Sequence, residues 1–331
     1  MALLDANIFG FIDYAATPHL AERRASMPGI ALTAGHDVIA VQELWLDEDV
    51  SLWRTAAAEH GYLMFVGERG GFNTGLATFV REEIVQGGSM RTFAEKSFAH
   101  VDASEFFPGP GIKRGYQHTG FVHRDIGPVR IFNAHLWPYP ANWKGRMWQV
   151  RELGIATRTE SAADEVILVA GDMNAGPYYK SATWRTPDGG EETSWFHNTI
   201  SYPLLLVYGE LVDLAVMGRP ATDAASDVTL GNTVVNDPEQ ATSIPGAEDG
   251  WCTRTPQSTF TGTDCNALYF EQYAGTEYPA RLDHILAHDP DGRIVVQNSS
   301  LAFTEPRRFG GLTIEPSDHY GVAVELLLSS P

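Results

Sequence analysis

The chain has 331 residues, 44% of them apolar and 20% charged, which suits a folded globular core and excludes an unfolded chain. Acidic side chains number 42 against 23 basic ones, giving a formal net charge of −19, so a broad cationic surface for gripping nucleic acid is absent. No stretch is long and apolar enough to cross a bilayer and no leader pattern precedes the first strand. The expectation is a soluble protein, either cytoplasmic or exported with a leader removed.

Ala2 to Phe9 reads as the first strand, with Asn7 near its end. His19 to Gly35 reads as a helix, with Thr17 as N-cap and Pro18 at its first position. Val38 to Leu44 is an apolar strand carrying Gln42 and Glu43 at its end, and Asp47 to His60 is a helix opened by acidic residues. Strands are expected at Leu63 to Val66, Gly75 to Val80 and around Met90 to Phe93, with Gly70–Gly71 and Gly87–Gly88 between them. His118 to His123 and Val129 to Leu136 read as neighbouring strands, and Trp143 to Ala163 as the longest helix.

Val166 to Ala170 is a continuous apolar run of the kind buried on both faces, followed by Gly171, Asp172, Met173 and Asn174. Ser226 to Gly275 is an irregular excursion rich in Thr, Asp, Gly and Pro. Strands resume at Arg281 to Ala287, Arg293 to Val296 and Tyr320 to Leu328, so the excursion belongs to one domain spanning 1–331. Cys252 and Cys265 lie within it without zinc spacing; a local disulfide and two free thiols are both compatible. Strands alternating with helices early and clustering later predict an α/β domain of two packed mixed β-sheets flanked by helices.

Polar groups recur where apolar strands end. Glu43, His135, Asp172 with Asn174, Asp283, and Ser317-Asp318-His319-Tyr320 would meet at one rim of a buried sheet. Each alone has a bland reading: a rim ion pair for Glu43, a satisfied core histidine for His135, an Asx-turn for Asp172. Together they form an oxygen-rich cluster beside imidazoles, which suits Mg²⁺, Mn²⁺ or Ca²⁺ and the hydrolysis of a phosphate ester. Strand alternation turns Asp172 and Asn174 the same way, and puts Asn133 on the face of His135.

Asn7, Gln42-Glu43, His135, Gly171-Asp172-x-Asn174, Arg281-x-Asp283 and Ser317-Asp318-His319 resemble, in order and over nearly the whole chain, the motifs of the endonuclease/exonuclease/phosphatase superfamily. The resemblance implies the DNase-I-like four-layer α/β sandwich. It implies that Glu43 is the principal metal carboxylate, that Asn7 helps hold the metal or the phosphate, and that Asp318 sits beside the metal. It implies that Asp172 orients or deprotonates the attacking water, Asn174 positions a phosphate oxygen and His135 hydrogen-bonds the phosphate. His319 would hydrogen-bond the phosphate or do acid/base work, its tautomer fixed by Asp283.

Within that superfamily the chain looks most like neutral sphingomyelinases. Gln42-Glu43-Leu44-Trp45 resembles their Gln-Glu-x-Trp, and Asn73-Thr74-Gly75-Leu76 with Phe79 their Ser-Gly-Leu strand. Lys113, in a glycine-rich loop, resembles a lysine of their regulatory loop. His135-Leu136, followed by aromatic residues and a helix with Arg146, Gln149 and Leu153, resembles the segment after their catalytic histidine. This implies Mg²⁺-dependent (or Mn²⁺- or Ca²⁺-dependent) hydrolysis of a sphingomyelin-like phospholipid, peripheral contact with a membrane surface, and substrate contact by Lys113, Trp137 and Tyr139.

Two stretches depart from that pattern: Trp137-Pro138-Tyr139-Pro140, where a more polar run is expected, and the excursion. Trp137, Tyr139 and Trp143 make either an aromatic surface for lipid or choline, or loop packing over the sheet edge. A nuclease of the same fold is the alternative. A phosphatase is disfavoured because Pro279 to Asp283 replaces a Trp-x-Asp-Arg pattern, and a non-catalytic binding protein because every expected position is filled.

Overall fold

The structure is a computed structural model that describes residues 1–7, 19–67, 73–87, 89, 91–99, 113–138, 143–176, 183–185, 191–217, 253–254, 260–261, 282–314, 316–317 and 319–328. The chain opens with β1 (Ala2–Asn7), α1 (Leu20–Leu32), β2 (Val38–Gln42), α2 (Asp47–Glu59), β3 (Tyr62–Val66) and β4 (Ala77–Arg81). It continues with β5 (Thr92–Ser97), β6 (Gly115–His123), β7 (Gly127–His135), α3 (Trp143–Thr159) and β8 (Val166–Asp172). A ribbon of β9 (Thr183–Arg185) and β10 (Glu191–Thr193) precedes α4 (Ser194–Gly209), β11 (Leu211–Asp213) and α5 (Leu214–Met217). The ribbon of β12 (Thr253–Arg254) and β13 (Phe260–Thr261) is followed by β14 (Asp283–His288) and β15 (Ile294–Ala302). A last ribbon, β16 (Arg307–Phe309) with β17 (Leu312–Ile314), leads to β18 (Gly321–Leu328).

Two six-stranded sheets carry the fold, in the orders β15-β18-β1-β2-β4-β3 and β11-β14-β8-β7-β6-β5. Side chains alternate between faces along a strand, and the sequence uses both faces. Leu3, Val38, Ala40 and Val80 of the first sheet meet Val129, Ile131, Leu168, Ala170 and Ile285 of the second. The alternate residues Leu4, Ile39, Val41 and Phe79 cover the other side of the first sheet and pack on Met27 and Ala31 of α1 and Trp53 of α2. Phe132, Ala134, Val169 and Leu286 do the same on the second sheet, under Val150 and Leu153 of α3 and Leu205 of α4. The layers are therefore helices, sheet, sheet, helices, the expected four-layer sandwich.

Two parallel pairs orient the molecule: β1 with β2, and β7 with β8. A parallel pair needs a crossover, which α1 and α3 supply. The carboxyl ends of β2, β7 and β8 deliver Gln42, His135 and Asp172. Antiparallel pairing of β14 with β8 sets Asp283 opposite Asp172. Antiparallel pairing of β18 with β1 brings the residues just before β18, His319 among them, to the same rim.

Several boundaries differ from the sequence reading. The strand expected at Val38 to Leu44 stops at Gln42, and the one expected from His118 begins at Gly115. Helix α1 begins at Leu20, behind His19 in a left-handed conformation (φ 50°); Thr17 and Pro18, the expected cap and first turn, lie outside the described residues. Helix α4 has no counterpart in the sequence reading. Pro203 sits in its interior, a breaker signal overridden by packing against α3. Most of the excursion, with Cys252 and Cys265, lies outside the described residues.

Candidate active site

Glu43 follows β2 and is 5% exposed, with a left-handed φ of 66°. Asn174, two residues past β8, has φ 46°. Left-handed backbone in a non-glycine residue costs of order 1–3 kcal/mol and concentrates at functional sites. Gly171 contributes a close approach: a Cβ there would stand 2.0 Å from the Ala134 carbonyl, and its φ is +150°. Only glycine lets β8 run tight against β7 and seat Asp172 beside His135.

His135 is the hub. Its Nε2 lies 3.3 Å from Asp172 Oδ2 and 4.0 Å from Glu43 Oε1. Arg114 Nη1 lies 2.6 Å from both ring nitrogens and 3.6 Å from Glu43 Oε1. A guanidinium cannot accept a hydrogen bond, so Arg114 favours a ring nitrogen that keeps its lone pair. Burial first, and Arg114 second, push the His135 pKa below the ordinary imidazole range, against Asp172 and Glu43. Arg114 sits between two indoles, 5.4 Å from the Trp45 ring and 6.0 Å from the Trp137 ring.

Asp172 is 2% exposed. Burial works to raise its pKa. The hydrogen bond from His135, the His319 charge and the Asn174 backbone N–H, which donates to Oδ1 at 2.9 Å, outweigh burial and hold the carboxyl well below its usual range. His319 Nδ1 lies 2.8 Å from Asp283 Oδ2. The ligand atoms of Asp172, Asp283 and His319 lie within 4.8 Å of one another, a buried acidic and histidine cluster suited to a divalent ion. Because His319 Nδ1 is committed to Asp283, the more open ligand is Glu43, whose buried Oε2 has no hydrogen-bond partner among the described residues. That oxygen-rich donor set fits a hard cation.

The surrounding loops are pinned. Arg23 of α1, 1% exposed, donates from Nη1 to the Pro316 carbonyl, and the His319 N–H donates to Ser317 Oγ. Arg146 Nη1 donates to the Trp137 carbonyl at 2.7 Å, and Gln149 Oε1 accepts the Trp137 N–H at 2.9 Å. His284 spans the Ala175 carbonyl (2.8 Å) and Asp213 (3.2 Å).

Glu43, His135, Asp172, Asn174, Asp283 and His319 thus gather in one neighbourhood. The Asn7 side chain, Asp318 and Tyr139 lie outside the described residues. Lys113 is exposed and is tied to Asn73 by a backbone hydrogen bond. Trp137 is 5% exposed and faces Arg114, which agrees with the loop packing that the sequence left open beside an aromatic surface. One expectation changes. Asn174 leaves strand alternation, and its Nδ2 is committed to the Leu136 carbonyl at 2.9 Å. Arg114 was missed because β6 was expected to begin at His118. With β6 starting at Gly115, that glycine pairs with His135 and Arg114 falls next to the imidazole.

Two face-to-face sheets between helices, with acidic and imidazole groups at the carboxyl ends of central strands, define the DNase-I-like class of hydrolase folds. The model of the endonuclease/exonuclease/phosphatase family matches residues 7–319, and the chain belongs to that family. No curated protein matches the chain. The structure of D. rerio TDP2 complexed with single-strand DNA product is 15% identical, covering 99% of this chain and 98% of that one, with a TM-score of 0.61. A family protein from Bacteroides thetaiotaomicron is 16% identical over 100% of this chain and 98% of its own, with a TM-score of 0.60. The human Nocturnin catalytic domain with bound sulfate is 13% identical over 99% and 93%, with a TM-score of 0.59. At these identities the likeness is one of fold.

Proposed function

We propose that the protein is a divalent-cation-dependent phosphodiesterase, with a sphingomyelin-type phospholipid as the first substrate to test. The observation that supports this reading is the convergence of Glu43, His135, Asp172, Asp283 and His319 at one rim from both sheets. Glu43, with Asn7 and Asp318, would hold the ion. When bound, it supplies charge neutralisation at the phosphoryl oxygens. Asp172, kept anionic by its partners, accepts the proton of the attacking water as the oxygen–phosphorus bond forms. Arg114 would supply positive charge beside the phosphoryl oxygens, with His135 placed between it and Asp172. His319, oriented by Asp283, delivers a proton to the departing oxygen as the phosphorus–oxygen bond breaks. Asn174 acts through its backbone N–H on Asp172.

A nuclease is the second reading, favoured by the burial of Trp137, which removes one member of the aromatic surface for lipid. Sphingomyelin and phosphatidylcholine vesicles, plasmid DNA and inositol phosphates, each assayed with Mg²⁺ and with EDTA, separate the two. Mg²⁺-dependent release of phosphocholine is expected. Plasmid nicking without it selects the second reading, and inertness toward the whole panel overturns both.

A further inference from the structure

Asn133 shares the His135 face of β7, and the chemistry above leaves it unused. It is fully buried between the sheets. Its Nδ2 crosses from the second sheet to the first and donates to the carbonyls of Val41 (3.1 Å) and Ala77 (3.0 Å). Its Oδ1 accepts from Gln42 Nε2 at 2.9 Å, and the same Nε2 donates to Asp5 Oδ1 at 2.7 Å. An amide in an apolar interface is tolerated only when it is satisfied, and a satisfied one specifies register.

A second rung lies beside it. Gln117, the cross-strand neighbour of Asn133, donates from Nε2 to Thr78 Oγ1 at 2.7 Å, and Thr78 follows Ala77 on β4. The rungs differ in what they adjoin. Asn133 stands two residues before His135 and grips Val41 and Gln42, the two residues before Glu43. Strand β4, which carries Thr78, holds no group of the site.

We propose that Asn133 is a positioning residue that sets the spacing between the two halves of the site, Glu43 on the first sheet and His135 with Asp172 on the second. The proposal rests on the phosphodiesterase reading, in which both halves act on one phosphate. A misplacement of about 1 Å at a reacting centre costs on the order of a hundredfold in rate.

The test compares wild type, Asn133→Ala and Thr78→Val on bis(p-nitrophenyl) phosphate with Mg²⁺, with melting curves and Mn²⁺ calorimetry on each. Asn133→Ala removes three buried inter-sheet hydrogen bonds and Thr78→Val one, so both should melt earlier, Asn133→Ala by more. In Asn133→Ala, kcat should fall by about tenfold or more with KM changed by less than about threefold, while Thr78→Val stays within about twofold. Unchanged kcat in Asn133→Ala, or an equal fall in both variants, overturns the proposal. If Asn133→Ala does not fold, Asn133→Ser, which keeps one donor, carries the same comparison. A wild type that hydrolyses no phosphodiester overturns the phosphodiesterase reading instead. The positioning claim then stands on Mn²⁺ affinity, expected about tenfold weaker in Asn133→Ala alone, and equal values across the three proteins overturn it.

Discussion

The second sheet holds two clusters built from the same parts, a buried histidine between an arginine and carboxylates, and they behave as opposites. At His118, Arg130 contacts Nδ1 at 2.8 Å and clasps Glu165 through two 2.7 Å hydrogen bonds. Glu160 lies 3.3 Å from the other ring nitrogen and pairs with Lys96 at 2.7 Å, while the Tyr116 hydroxyl donates to it at 2.8 Å. Each carboxylate there has a cation at hydrogen-bonding distance. At His135, among the described residues, Arg114 stands 3.6 Å from Glu43, outside hydrogen-bonding distance, and Glu43 and Asn174 take left-handed backbone. Residue types alone do not separate the two clusters; the distance from carboxylate to cation and the left-handed backbone do.

The contrast breaks first at the rim. His319→Ala should lower kcat/KM by about 10²–10⁴-fold, the usual worth of a general acid or base, with the far-ultraviolet circular dichroism spectrum retained. Activity near that of wild type would remove His319 from the chemistry. EDTA should abolish turnover and added Mg²⁺ restore it. In Glu43→Gln, the Mg²⁺ needed for half-maximal rate should rise by about tenfold or more, read from metal titrations.

The outer cluster should respond in the other currency. Arg130→Ala should lose about 1–3 kcal/mol in urea unfolding, because Glu165 is left without its partner in a mostly buried setting. Its kcat should stay within about twofold of wild type, since the site is remote; a large fall would erase the distinction between the clusters.

The smallest effect is on pH dependence. His36, His118, His123 and His135 all have pKa values lowered in the folded chain, with burial the largest cause in each. Unfolded histidines take up protons near pH 6.5, so below that point the unfolded chain binds more protons and stability falls. Asp172, with its lowered pKa, adds a further loss as pH falls below about 4. Asp5, raised chiefly by burial and then by Asp283, acts in the opposite sense, costing stability as pH rises from about 4. Urea midpoints should therefore decline from pH 7.5 to 5.5, and a flat profile would contradict the lowered pKa values of these buried histidines.

Much of this was legible in the chain. The apolar runs at Val38 and Val166 announced central strands, and the polar group at the end of each identified the rim. What sequence could not supply was register. Arg114 became visible only once β6 was known to start at Gly115. For Trp137 the sequence leaves an aromatic surface and loop packing both open, until Arg146 and Gln149 are seen to tie its backbone to α3. The departure of Asn174 from strand alternation depends on a φ of 46°, which no side-chain pattern encodes. Pro203 hid α4, because the contacts that hold that helix are tertiary.

Strand β1 lies between β2 and β18, and the Met1 amino group donates to the Leu326 carbonyl across 325 positions of sequence. A ribosome adding about 5–20 residues per second needs roughly 15–65 s to travel between those two strands. Throughout that interval β1 has one hydrogen-bonding edge open and the residues leading to His319 have no strand to anchor them. A nascent chain that stops between Asp283 and His319 holds five of the six residues that gather at the rim and lacks the strand that brings the sixth there.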